Sequence, residues 1–160
     1  MEGYKRSRFL SERWEEKSRT EQGLRSLEDT QKERDIVLYE RIQKEIAGSS
    51  EHLAGLLRAV ERAAIRYRQS VNRFDHVRTR DANRADMQAE LEETDRNRRA
   101  AHEVLIDSIN ILSRAYKKAG LDNDWRREIG VEREEVGRWG MAIANIIYRK
   151  FEERHHHDAP

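Results

Sequence analysis

The chain has 160 residues, about one domain's length, enough to bury roughly two-thirds of the surface that its unfolded form exposes. Charged residues make up 39% of it, but the formal net charge is only +1, which excludes both the self-repulsion of a disordered polyelectrolyte and a global pull toward nucleic acid or membrane. It has no cysteine, which excludes disulfides and thiol catalysis and suits the cytoplasm, and its one proline is Pro160, so almost nothing in the sequence breaks a helix.

Residues 1–22 are strongly charged, with Tyr4, Phe9, Leu10 and Trp14 as their large anchors, and contain no apolar core of signal-peptide length. They read as an N-terminal helical arm that Gly23 separates from the body of the chain. From about Leu24 to Ala47 the spacing predicts a first long helix. Leu24, Leu27, Leu38, Ile42 and Ile46 share one face, yet Gln31 and Arg34 fall on it too, so "DIVLYERI" is its buried part. "GSSEH", residues 48–52, reads as a stop and restart, with Gly48 as a C-cap and Ser49 or Ser50 as the next N-cap.

The second long helix has the clearest pattern. Leu53, Leu56, Leu57, Val60, Ala64, Tyr67, Val71 and Phe74 repeat at steps of three and four. Opposite that seam lie Arg58, Arg62, Arg66, Gln69, Arg73, His76 and Arg80, with no acid among them. Such a ridge either is a solvated face, or one paired with the acidic "ELEETD" of residues 90–95, or tracks a phosphate backbone or an acidic protein surface.

The third helix is expected from about Arg84 to Ala119, capped by Gly120. Its seam includes Thr94, Arg98 and His102 among Met87, Leu91, Leu105, Ile109, Leu112 and Tyr116. For an antiparallel hairpin turning near residue 81, Arg98 falls opposite Ala64 and His102 opposite Val60. A buried Arg98 then needs a carboxylate from another helix, with Glu40, Glu45, Glu152 and Glu153 as candidates. Thr94, Arg98 and His102 read as a polar layer that fixes helix register, or as the floor of a ligand pocket.

"LDNDWRREIG" is the longest connection, with room for a helical turn of its own. "WRREIGVEREEVGRWG" has the glycine and apolar spacing of a helix-turn-helix, but Glu132, Glu134 and Glu135 open the would-be recognition helix and repel phosphate. A plain helix start near Glu132, with acids at its positive end, explains the same residues. This last helix, to about Glu153, is apolar over a wide arc. Gly137, Trp139, Gly140, Ile143, Ala144 and Ile147 form a strip that fits either the centre of the bundle or the interface of a homodimer.

The tail "RHHHDAP" offers His155, His156 and His157, and Glu152 and Glu153 each precede a histidine by three residues. The second Glu-x-x-His of a di-iron bundle is missing, so no metal or cofactor site and no catalytic residue is assigned. "RNRRAAHEVLIDSINILSRAY" followed by "REEVGRWGMAIANIIY" resembles a bacterial family of small helical proteins of unknown function. That resemblance implies an all-helical bacterial or mobile-element protein and carries no activity.

The expectation is an all-α, up-and-down antiparallel bundle of about four long helices. Residues 1–22 form the arm, 23–154 the bundle domain and 155–160 a polar tail. The expected role is that of a non-enzymatic cytoplasmic interaction or structural module, a homodimer with no membrane segment and a protein partner. The alternative is a nucleic-acid-associated or regulatory protein that uses the ridge.

Overall fold

A computed structural model of the chain describes the backbone of residues 2–80 and 85–158, and the side chains of residues 22–80 and 87–154. Among the described residues it is all-α: α1 (Glu2–Ala47), α2 (Glu51–Thr79), α3 (Ala85–Lys118), the short α4 (Trp125–Ile129) and α5 (Arg133–Asp158). No helix among them is long and apolar enough to cross a membrane.

The chain divides into two compact units, Met1–Arg34 and Asp35–Pro160. In the first, residues 22–34 are helical and exposed, except for half-buried Gln31. Gly23 does not interrupt the helix. The division falls after Arg34 rather than at Gly23: Leu24 and Leu27 are exposed, and the first buried residue of α1 among the described side chains is Asp35. Phe9, Leu10 and Trp14, the anchors read into the arm, lie outside the described side chains.

The second unit holds the core. It takes Leu38, Tyr39, Ile42 and Ile46 from α1, and Leu53, Leu57, Val60, Ala63 and Ala64 from α2. Leu105, Ile109, Leu112 and Tyr116 come from α3, Trp125 and Ile129 from α4, and Val136, Trp139, Ile143 and Ala144 from α5. Each set repeats at helical spacing, so one stripe per helix leaves water. Two edge-to-face aromatic pairs tie the stripes together: Tyr39 with Trp139, ring centroids 6.4 Å apart, and Tyr116 with Trp125 at 5.4 Å.

Local chemistry sets the helix ends. Ser50 is the N-cap of α2, in extended conformation, its hydroxyl accepting from the Leu53 amide at 3.3 Å. Ser50→Ala is expected to cost about 1 kcal/mol, a fall in Tm of about 2–4 °C for a chain of this size. A melt superimposable on the parent's would show that the cap contributes nothing. Gly120, at φ 77°, closes α3 with its own amide on the Lys117 carbonyl (3.1 Å) and the Leu121 amide on that of Tyr116 (3.0 Å). This is the doubly bonded stop that favours glycine. Gly48 has no positive φ and ends α1 without that device. α5 continues to Asp158, so the backbone of the expected tail is helical through most of its length.

Buried polar groups join the elements of this unit. Arg138 on α5 donates to both carboxylate oxygens of Asp35, from Nε at 3.1 Å and Nη2 at 3.4 Å, and to the Ile129 carbonyl at 3.2 Å. Tyr39 donates to Glu61 and accepts from Gln43. Burial, and then the Glu61 carboxylate, push its hydroxyl well above the ordinary phenol range.

Candidate functional site

Three sets of residues stand out in the sequence, and the structure treats them differently. The α5 strip is the inside of this bundle. Trp139, Ile143 and Ala144 are fully buried, Gly137 and Gly140 are buried, and Ile147 packs half-buried against the same core. A Cβ on Gly137 would stand 2.9 Å from the Tyr67 hydroxyl oxygen, and one on Gly140 would collide with Leu105. The two glycines therefore serve the close approach of α5 to α2 and α3 of its own chain. The reading of these six residues as a dimer interface is corrected: the helices of the same chain already occupy the face they present.

The polar set of α3 is not brought together as one pocket. Thr94 is buried, but its hydroxyl bonds the carbonyls of Glu90 and Leu91 on its own helix, both at 3.0 Å. Arg98 is half-buried with 36% of its side chain exposed, and it meets Asp95 of its own helix at 2.5 Å rather than a carboxylate from another helix. Its guanidinium lies over Phe74, 4.6 Å from the ring centroid. Three residues apart on a helix is within reach of a long arginine, and the aromatic face takes the place of the expected partner. The Arg98 hydrogen bond, with Arg99 also on the carboxylate, holds Asp95 below its usual range against a smaller opposing effect of burial. His102 stacks on Tyr67, centroids 5.1 Å apart, and its Nε2 lies 2.8 Å from the Arg133 carbonyl, an acceptor, so Nε2 carries the proton. Arg133 also pairs with Glu103, so two consecutive α3 residues pin the start of α5.

These contacts correct the expected register. His102 meets Tyr67 rather than Val60, and Arg98 meets Phe74 rather than Ala64. Arg80 with Glu90, and Tyr67 with His102, have midpoints near residue 85 instead of 81. The later turn slides α3 by about two helical turns along α2.

The basic ridge is where the sequence places it, on the outer face of α2. Arg58, Arg62, Arg66, Arg73, His76 and Arg80 are all on the solvent side, as is Gln69. At 100° per residue they fall within an arc of about 80°, opposite the buried stripe, over about 27 Å of helix from Arg58 to His76, with Arg80 as the extended C-cap. Arg80 is shared with His76 at 3.0 Å and with Glu90 at 3.8 Å. Arg58, Arg62, Arg66 and Arg73 have no ion-pair partner among the described residues, and "ELEETD" reaches the ridge only through Glu90. The neighbouring acids are occupied elsewhere, Glu61 by Tyr39 and Asp75 by Arg78 at 3.2 Å.

The fold adds one feature that periodicity within a single helix cannot reveal. Tyr148 of α5 lies beside the ridge, with the Arg68 guanidinium 4.1 Å from its ring centroid and the Gln69 amide donating to its hydroxyl at 3.1 Å. At the opposite end of the unit, Arg41, Glu45, Asp122, Asp124, Trp125 and Glu128 line an open cleft in which Arg41 and Glu128 already pair at 2.6 Å.

The helix-turn-helix alternative also meets its geometry here. Val131 is 84% exposed where that motif buries it. Gly137 faces Tyr67 and Arg138 faces Asp35, so residues needed on a recognition face point inward. Among the described residues no group of three or more metal-ligating side chains comes together, and His155, His156 and His157 lie outside the described side chains. No protein-family model, curated protein or solved structure matches the chain significantly.

Proposed function

We propose that this protein is a non-enzymatic interaction module of the cytoplasm whose docking surface is the arginine ridge of α2. One observation carries the reading: four guanidiniums on the solvent side, those of Arg58, Arg62, Arg66 and Arg73, stand in one row without ion-pair partners among the described residues. Their backbone is immobilised by the core packing of the opposite face of the same helix. Elsewhere among the described residues charges of both signs stand side by side, as in Lys32-Glu33-Arg34 or Glu152-Glu153-Arg154. A fixed row of one sign selects a polyanionic partner and steers its approach.

Retention on heparin–agarose tests this. The parent protein is expected to bind at low ionic strength and elute with salt. Arg62→Glu/Arg66→Glu is expected to flow through, while Arg114→Glu/Arg127→Glu, two exposed arginines on α3 and α4, carries the same net charge and stays bound. The ridge variant should keep its stability within about 0.5 kcal/mol, as exposed substitutions do. Co-elution of the two variants would refute the ridge as the docking surface.

A further inference from the structure

We infer that the polyanion is a nucleic-acid duplex, gripped along its sugar-phosphate backbone without regard to sequence; this rests on the ridge being the docking surface. The residue type speaks first. α2 contains Arg58, Arg62, Arg66, Arg68, Arg73 and Arg78 and no lysine, although the chain uses lysine on other helices, such as Lys44, Lys117 and Lys150. Arginine's planar fork grips a phosphate through two parallel bonds, whereas lysine offers only a point charge.

Length and stiffness speak next. From Arg58 to Arg73 the unpaired arginines span 15 residue steps, about 22 Å at 1.5 Å per step, enough to meet several phosphates within one duplex turn of about 34–36 Å. No glycine or proline lies between those two residues to kink the helix there.

Two other polyanions fit less well. Single strands are held by aromatic faces on which bases stack. The ridge itself has none, and Tyr148 beside it has Arg68 over one face and its hydroxyl engaged by Gln69. An anionic membrane surface wants apolar anchors beside the charges. The large exposed apolar side chains, Val37, Val104, Ile111, Leu121, Val131 and Phe151 in this unit, all lie on elements other than α2.

Fluorescence anisotropy with labelled 20-base-pair DNA duplexes of two unrelated sequences tests the inference, with the single strands and phosphatidylserine vesicles as further arms. Four phosphate contacts give a log–log salt slope of about −3.6, a roughly 150-fold loss of affinity between 50 and 200 mM salt. Both duplexes should bind alike, since phosphate contacts carry no sequence information. Arg62→Glu/Arg66→Glu should at least halve the slope and weaken binding about tenfold or more, and Arg114→Glu/Arg127→Glu should do neither. Heparin retention through the ridge with no duplex binding at 50 mM salt would overturn this inference alone, as would tighter binding to the single strand or the vesicles. Loss of ridge-dependent heparin retention would overturn the docking surface as well.

Discussion

Trp139→Ala is expected to lower stability by about 3–5 kcal/mol, a fall in Tm of about 6–20 °C for a chain of this size. Trp139 is completely buried and meets Tyr39 edge to face. Its neighbours Gly140 and Ile143 are buried on the same helix, and the glycine has no side chain to fill a void. Collapse around the cavity would have to move α5 as a body, which makes the upper end of the range the better expectation. Trp139→Phe separates volume from polarity. The indole Nε1 has no hydrogen-bond partner, so phenylalanine gives up no hydrogen bond and should lose well under half as much. Thermal melts followed by circular dichroism read both variants. Equal losses for the two would contradict a packing role.

The second large effect is expected at Arg138. Asp35 has only 4% of its side chain exposed, and both its carboxylate oxygens accept from the Arg138 guanidinium. Arg138→Met removes the guanidinium that both of those carboxylate oxygens accept from and is expected to cost about 2–4 kcal/mol. This is somewhat less than a fully buried pair would lose, because 39% of the arginine side chain is in solvent. Since the change splits a charge pair rather than only removing a contact, removing both charges should be milder. Asp35→Asn combined with Arg138→Met is expected to melt above Arg138→Met alone. Simple additivity of the two single changes would show that the pair is not coupled.

Much of the architecture is legible in the amino-acid order because each helix must bury one stripe. The run from Leu53 to Ala64 and that from Leu105 to Tyr116 point to the core for that reason, and Gly120 and Ser50 announce their ends by chemistry that acts over a few residues. What depends on a neighbour is not legible in the same way. Gly23 looks like a breaker, but a single glycine costs a helix only about 1 kcal/mol, and the boundary between the units lies instead where the apolar stripe resumes at Asp35 and Leu38. The partner of Arg98 depends on the register of α2 against α3, and a shift of the turn by a few residues moves it from Ala64 to Phe74. The strip from Gly137 to Ile147 has the same pattern whether it faces a second chain or its own core. Only the positions of Tyr67, His102 and Leu105 distinguish those cases. The ridge is legible as a row, because its arginines share one helix. That Arg58, Arg62, Arg66 and Arg73 lack acidic partners among the described residues is not, since that depends on where "ELEETD" comes to lie.

The central position of α5 has a consequence for the order in which the protein is made. The helix that supplies Val136, Trp139, Ile143 and Ala144 is the last of the five to leave the ribosome. The core that Leu57, Ala64, Leu105 and Ile109 of the α2–α3 hairpin share with α1 is complete only with these α5 residues. A chain cut before Arg133 would lack the α5 members of this core, and its remaining apolar faces are the kind of surface that chaperones hold and aggregates seize. The Arg138 guanidinium that Asp35 accepts from is likewise encoded 103 positions after it.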